Sequence, residues 1–173
     1  MIYVVSILAI LGFSTLLYLG YKKRKKPTPE KIEYIPHAVG LSIFEQELFI
    51  ALNKTRSGLL KIDEYSTKLA KEHCIYMISN EIINPLYNTT VSGVSHDNFP
   101  HRVSEMRKRG AESVGEVVAY GYGSSGGFIN GYELSPGHKK IIENTVYTHV
   151  GISVLKNPAG KMYNCMLFTQ FKN

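Results

Sequence analysis

The chain has 173 residues and a formal net charge of +6, enough for one folded domain and a short appendage. Six Lys and Arg stand against two acids in residues 1–40, whereas the rest of the chain holds fourteen against twelve. The folded part therefore lacks the basic surface of a nucleic-acid-binding domain, and we predict no nucleic-acid partner. Two cysteines, Cys74 and Cys165, are too few for a disulfide scaffold, so we expect buried free thiols, with a single bridge as the alternative.

The first segment is an uncharged stretch, residues 2–21, followed at once by a basic run. About 20 helical residues span the hydrocarbon thickness of a bilayer, so we predict an uncleaved, single-pass membrane anchor over residues 1–21. A cleaved signal peptide is the alternative, but the charges follow the apolar stretch and bulky residues occupy its end. The basic run is also a candidate contact for anionic lipid head groups, through Lys22, Lys23, Arg24, Lys25 and Lys26.

The sequence leaves open which side of the membrane the folded part occupies. Positive charges after the anchor favour the cytoplasmic side under the positive-inside rule. Two glycosylation sequons, which begin at Asn53 and Asn88, are compatible with an external position. Residues 22–40 hold the basic run and three prolines without helical periodicity. We therefore predict an extended linker there, followed by a domain over residues 41–173.

Three helices are predicted in the first half of the domain. Ser42 and Glu45 form a capping box before a first helix that ends near Gly58. A second helix is predicted over residues 63–81 because apolar side chains recur at helical spacing along one side. A third helix, residues 100–109, begins at a proline and is closed by a glycine.

Two sets of polar side chains on these helices are interpreted as supporting groups. His73 shares the apolar side of the second helix, so we expect it to lie behind a site rather than to bind a ligand in it. The third helix carries four basic residues that we expect to form a solvated surface: Arg102, Arg107, Lys108 and Arg109.

Strands and helices alternate in the second half of the domain. Residues 114–120 are predicted as a strand, and the glycine-rich residues 121–127 as a flexible loop, because no phosphate-loop ending follows them. Ser135 and Pro136 start a helix with His138 in its first turn. Alternating apolar residues on both sides of an Asn-Pro-Ala-Gly turn predict a C-terminal hairpin. We therefore predict an α+β fold in which helices cover an antiparallel sheet.

Several short motifs follow one another along the chain. They are Asn53-x-x-Arg56, Leu69-Ala70-x-x-His73-x-x-x-Met77, Ser95-His96, Gly115-Glu116, Ser135-Pro136-Gly137-His138 and His149-Val150-Gly151-Ile152. On this ordered set, the chain resembles the CAP superfamily, also called SCP-like, in its bacterial form. The resemblance implies a three-layer α-β-α sandwich with a central antiparallel sheet.

The resemblance also implies a central cleft lined by His96, Glu116 and His138. Two imidazoles and one carboxylate with an open position suit zinc or another divalent cation. A hydrogen-bonded polar cluster that rigidifies the cleft is the alternative for the same three residues. The accessory candidates are Tyr132, Glu133 and Ser135.

The sequence departs from the family pattern at three positions. Val117 stands where an Asn often follows the Gly-Glu motif, and Tyr132 stands where a Trp is usual. Glu133 is an acid that bacterial members generally lack. We expect Tyr132 to face inward and Glu133 to be exposed, because adjacent residues of a helix diverge by about 100°.

We predict a membrane-anchored binding or interaction module without turnover. Ser95 directly precedes His96, and neighbouring residues of an extended segment point to opposite sides, so a Ser-His catalytic pair is not expected. The resemblance implies lipid, cell-envelope or host ligands and a location outside the cytoplasm. Two alternatives stay open. A metal-assisted hydrolase or peptidase would use Glu116 as general base, whereas a structural envelope protein would make no use of the cleft.

Overall fold

The computed structural model describes residues 40–84 and 89–171. Residues 1–39, which hold the predicted anchor and nearly all of the predicted linker, lie outside these ranges, as does Asn88, the first residue of the second sequon. Within the described ranges, no helix is long and apolar enough to cross a bilayer.

Five helices and six strands make up the described residues. In chain order they are α1 (Ile43–Lys54), β1 (Lys61–Ile62), α2 (Glu64–Ser79), β2 (Ile82–Asn84), β3 (Thr89–Val91), α3 (Phe99–Lys108), β4 (Ala111–Tyr120), α4 (Ser125–Leu134), α5 (Pro136–Ile142), β5 (His149–Lys156) and β6 (Met162–Phe171). The predicted helices, the predicted strand and the C-terminal hairpin are all present. The strands β1, β2 and β3 are too short to produce a periodic pattern in the sequence.

The main sheet has the strand order β1-β5-β6-β4. Strand β6 pairs antiparallel with β5 and with β4, but β1 pairs parallel with β5. The prediction of a wholly antiparallel sheet is therefore wrong at one edge, and the sheet is mixed. A parallel pair requires a long connection, which the intervening helices and strands provide here. Strands β2 and β3 form a separate antiparallel ribbon.

Helices cover both faces of the main sheet. Helix α2 packs on β5 and β6, with Cys74 and Cys165 buried between them. Helices α1, α4 and α5 cover the other face, where Phe128 and Phe168 belong to one core cluster. Val117 and Val118 are neighbours on β4 that belong to these two different clusters, as the alternation of a strand requires. Both cysteines are free and buried, so the prediction of free thiols is confirmed.

Side chains at the helix ends explain where α1 and α4 begin. The predicted capping box is present at α1, where Ser42 Oγ accepts from the Glu45 amide at 3.3 Å and Glu45 Oε2 accepts from the Ser42 amide at 2.8 Å. Helix α1 ends at Lys54, about one turn before the predicted end. Ser124 caps α4, so Gly127 lies inside the helix rather than in the predicted loop.

The Asn-x-x-Arg motif joins distant parts of the fold. Asn53 Oδ1 accepts from the Leu60 amide at 2.9 Å, so this side chain is committed to holding the loop after α1. Arg56 is buried and donates to three backbone carbonyls at the end of α5 and before β5, those of Ile142, Asn144 and Tyr147. This motif therefore fixes the end of the helix that carries His138.

Candidate functional site

The candidate site lies at β4, an edge strand of the main sheet. Glu116 is on the β4 face that α2 covers, and the preceding residue, Gly115, is on the opposite face. A Cβ atom at Gly115 would lie 2.5 Å from the Tyr147 hydroxyl and 3.2 Å from Ile141. The Gly-Glu motif thus places a carboxylate on one face and lets the region around α5 approach the other.

Glu116 is buried in an ion pair with Arg102. The guanidinium donates Nε to Oε2 at 2.5 Å and Nη2 to Oε1 at 2.8 Å, which is a two-bond contact. His96 Nδ1 lies 2.9 Å from the same Oε1. Burial alone would raise the pKa of Glu116, but the hydrogen bonds from His96 and Arg102 and the charge of Arg102 hold it below its usual value. Glu116 is therefore an ionised carboxylate at neutral pH.

The prediction that Arg102 belongs to a solvated surface is wrong. Arg102 is only 4% exposed, because it lies one helical turn before the buried Met106 and so shares the inward side of α3. The Arg102–Met106 spacing was the sequence signal for this orientation. The other three basic residues of the set are exposed as predicted: Arg107, Lys108 and Arg109.

Three contacts hold the loop that carries His96. His73 Nε2 donates to the Ser95 carbonyl at 2.7 Å. The Tyr76 hydroxyl donates to Asp97 Oδ2 at 3.1 Å, and Arg102 Nη1 donates to the Asp97 carbonyl at 2.9 Å. The structure therefore places His73 behind the loop, where it fixes the backbone on one side of His96.

The burial of His73 makes the stability of the fold depend on pH. Burial is the main cause that lowers the pKa of His73 from the ordinary value of 6.5, and the charge of Arg102 adds to it. Below pH 6.5 the unfolded chain therefore binds a proton that the folded chain does not, and the free energy of unfolding is expected to fall as the pH decreases. Replacement by Gln keeps an N–H donor for Ser95 but removes this titration.

We expect the decrease between pH 7 and pH 5.5 to be smaller in His73→Gln than in wild type, as measured by urea unfolding of the full chain. Burial also lowers the pKa values of His138 and His149, so part of the decrease should remain in the variant. Identical pH slopes for the two proteins would contradict this account of His73.

His138 approaches from the other side of β4. It is partly buried in the first turn of α5, and its ring meets Tyr132 edge-on, with 5.2 Å between ring centroids. Burial lowers the pKa of His138, and the nearby charge of a protonated His96 lowers it further. Ser135 precedes the helix as predicted, but its side chain makes no capping hydrogen bond. His138 is therefore neutral at pH 7 and lies near His96 without a direct bond to it.

The other accessory candidates lie around this histidine. Tyr132 faces inward as expected, and its hydroxyl donates to Asn164 Oδ1 at 2.5 Å. That bond directs the hydroxyl of Tyr132 to the sheet and leaves its ring against His138. Glu133 is half-buried, so the expectation of an exposed side chain is only partly met.

The residues predicted as metal ligands are only partly brought together. His96 and Glu116 are directly bonded, and His138 lies nearby. No group of three His, Cys, Asp or Glu residues in the described part of the chain has the arrangement needed to hold a metal ion. The arrangement does not fit a three-ligand site, because Arg102 already contacts both oxygens of Glu116. Zinc binding by these residues stays a prediction.

Helices on both faces of a mixed sheet, with a His-Glu pair at the edge strand, agree with the CAP-type domain that the resemblance implies. The chain belongs to the CAP family, described as the cysteine-rich secretory protein family, whose family model matches residues 53–169. A search of curated proteins finds no match.

Solved structures of bacterial proteins share this fold. An outer surface protein of Borrelia burgdorferi is 25% identical with a TM-score of 0.54, and the match covers 75% of this chain and 91% of that protein. An extracellular SCP-domain protein of Bacillus anthracis is 24% identical with a TM-score of 0.58, over 73% of this chain and 40% of that one. A cysteine-rich secretory protein of Staphylococcus aureus is 14% identical with a TM-score of 0.54, over 73% and 38%. This chain thus spans about two fifths of the last two proteins.

Proposed function

We propose that this protein is a membrane-anchored binding module of the CAP family, and that it binds its ligand at the edge site, defined as His96, Glu116 and His138. The observation that carries the proposal is the placement of two imidazoles, one from each side of β4, around a neutralised and buried ion pair. The His96 side chain is 49% exposed and His138 is partly buried, so both rings are accessible to a ligand. Glu116 is only 3% exposed and holds the His96 ring in place through its hydrogen bond to Nδ1.

The chemistry of the neighbouring groups favours binding over turnover. Burial raises the pKa of Cys165 well above its ordinary value and that of Cys74 to about 12, so neither thiol forms a thiolate nucleophile at neutral pH. Ser95 Oγ accepts from the Asp97 amide at 3.4 Å within its own loop. Glu116, the candidate general base of the hydrolase alternative, is occupied by Arg102. No observation therefore favours the hydrolase as a second function.

The proposed ligands are lipids, cell-envelope components or host molecules. The similar proteins from Borrelia and Bacillus are described as an outer surface protein and an extracellular protein, which supports a location of the domain outside the cytoplasm. A domain held close to a bilayer by residues 2–21 would have direct access to lipids. The anchor and its basic run are proposed from the sequence alone.

A binding assay on the full chain in phosphatidylcholine nanodiscs tests the proposal. The probes are a fluorescent fatty acid, a fluorescent sterol and a soluble peptidoglycan fragment. We expect one probe to bind, and His138→Ala to weaken its binding about tenfold, which corresponds to the loss of one hydrogen bond of about 1.4 kcal/mol. Lys140→Ala is the matched control, because Lys140 is exposed on the same helix.

Two results would contradict the proposal. The first is that none of the three probes binds to wild type. The second is that a probe binds equally well to wild type and to His138→Ala, because binding would then lie elsewhere. If His96→Ala and Glu116→Ala also changed only the stability, the structural-protein alternative would be favoured.

A further inference from the structure

We propose that Arg102 takes the place of a divalent cation at the edge site, so that this CAP domain binds its ligand without a metal. The inference rests on the proposed function, which makes the edge site the ligand site, and it adds a ligand class. The observation behind it is the saturation of the Glu116 carboxylate by partners from the chain itself.

Every acceptor position of Glu116 is in use. A carboxylate offers about four lone-pair positions on its two oxygens. Oε1 accepts from Arg102 Nη2 and His96 Nδ1, at 2.8 and 2.9 Å. Oε2 accepts from Arg102 Nε at 2.5 Å and from the Cys165 thiol, whose sulfur lies 3.8 Å away. A metal ion could bind this carboxylate only by displacing one of these partners.

Arg102 cannot easily be displaced. Its guanidinium is charged at every accessible pH, so it cannot lose a proton to make room for a cation. Its third nitrogen donates to the Asp97 carbonyl at 2.9 Å, and the Phe99 ring lies 5.9 Å from its central carbon. Met106, one turn later on α3, is fully buried and holds the helix in place. A metal at Glu116 would therefore place a second cation beside a fixed, buried one.

The same contacts determine what the edge site offers to a ligand. An ionised carboxylate can only accept hydrogen bonds, so His96 must donate its Nδ1 hydrogen to Glu116. In the neutral ring, Nε2 then carries the free lone pair, and the side chain is 49% exposed. The negative charge of Glu116 is already balanced by Arg102. The geometry thus favours an uncharged ligand that presents a hydroxyl or amide hydrogen to His96 Nε2.

Zinc titration of the full chain, purified in detergent, tests this inference by calorimetry and by metal analysis after desalting. The variants are Arg102→Met, which frees Glu116, and the double variant His96→Ala/His138→Ala. Arg107→Met is the control, because Arg107 is exposed on the same helix. We expect the double variant to retain the same zinc content as wild type. We expect Arg102→Met to gain about one zinc ion per chain, and this gain to disappear when His96→Ala is added.

Near-stoichiometric zinc in wild type that is lost in the double variant would overturn the inference. If Arg102→Met does not fold, the zinc contents of wild type and of His96→Ala/His138→Ala still show whether the edge site binds zinc. A second readout is the nitrogen NMR spectrum of His96 in its neutral form, in which we expect the ring hydrogen on Nδ1, facing Glu116, and none on Nε2. The reverse tautomer would also overturn the inference.

This test and the ligand assay can fail independently. Zinc at the edge site would refute the role of Arg102 and leave ligand binding intact. Absence of binding by every probe, together with an unchanged zinc content in the double variant, would refute the proposed function and leave the assignment of Arg102 standing.

Discussion

Replacing Gly151 with alanine is expected to lower the free energy of unfolding by about 3 kcal/mol or more. Typical overpacking substitutions in a core cost about 1–3 kcal/mol. Gly151 lies on β5 beneath the first turn of α2. A Cβ atom there would be 2.0 Å from the Ser66 carbonyl carbon and 2.2 Å from the Thr67 nitrogen. Both are backbone atoms, so no side-chain rotation can relieve the clash and the helix itself must move. Urea unfolding followed by circular dichroism measures the effect.

Gly126→Ala is the matched control for this substitution. Gly126 lies in α4, and a Cβ atom there would have no heavy atom within 4 Å beyond the adjacent residues and the backbone of its own helix. Alanine is the better helix former, so we expect a change of no more than about 1 kcal/mol, in the stabilising direction. If Gly151→Ala unfolded at the same urea concentration as wild type, the result would contradict the close packing of the α2 backbone on Gly151.

Arg102→Met is expected to cost about 3–5 kcal/mol at pH 7, because it leaves the Glu116 carboxylate charged and buried without its main partner. Both residues are less than 5% exposed, so water cannot replace the guanidinium. Methionine keeps the length and apolar character of the arginine stem, so the loss reports on the charge rather than on packing. The measurement is the free energy of unfolding in urea.

The pH dependence of this loss is a second signature. In wild type the pKa of Glu116 lies below its ordinary value of 4.5, so the ion pair stabilises the fold above pH 4.5 and its contribution is lost as the pH falls through the folded pKa. Without Arg102, burial should raise the pKa of Glu116, and the carboxylate can become neutral. The difference between variant and wild type should therefore shrink between pH 7 and pH 5.

Two further variants separate the buried charge from other effects. Adding Glu116→Gln to Arg102→Met should recover about 2 kcal/mol, because the uncompensated charge is removed. Arg107→Met, on the exposed side of α3, should stay within about 0.5 kcal/mol of wild type. If Arg102→Met/Glu116→Gln were as unstable as Arg102→Met alone, the uncompensated charge of Glu116 would not be the cause of the loss.

The parts of the fold that could be predicted from sequence are those specified by local patterns. The capping box at Ser42 marks the start of α1 within one residue. Alternating apolar residues around the turn at Gly160, whose φ is +77°, predict the β5-β6 hairpin. The parallel edge strand β1 has only two residues, and its pairing depends on how α2 packs, so no local pattern could indicate it.

The site was predictable in outline but not in its electrostatics. The order of the motifs indicated His96 and Glu116, and the structure joins them by a hydrogen bond. The partner that neutralises the carboxylate was missed, because Arg102 stands on a short helix among other basic residues. Its direction follows from the burial of Met106, which belongs to one core cluster with Leu69, Ala111 and Leu167. The spacing of Arg102 and Met106 carried this direction, but no local pattern shows that the inward side of α3 meets a buried carboxylate.

The buried side chains of Glu45 and Arg56 join the beginning of the domain to its C-terminal part. Glu45 Oε1 accepts from the Val154 amide at 2.8 Å, across 109 positions of the chain, and Arg56 reaches the segment before β5 across 86 to 91 positions. Helix α1 therefore holds the C-terminal hairpin through Glu45, and Arg56, two residues after this helix, holds the segment before the hairpin. We expect the first helix and the C-terminal hairpin to unfold in one cooperative step. A proteolytic cut between Arg56 and α2 should therefore also loosen the contacts of Arg56 with the end of α5, the helix that carries His138.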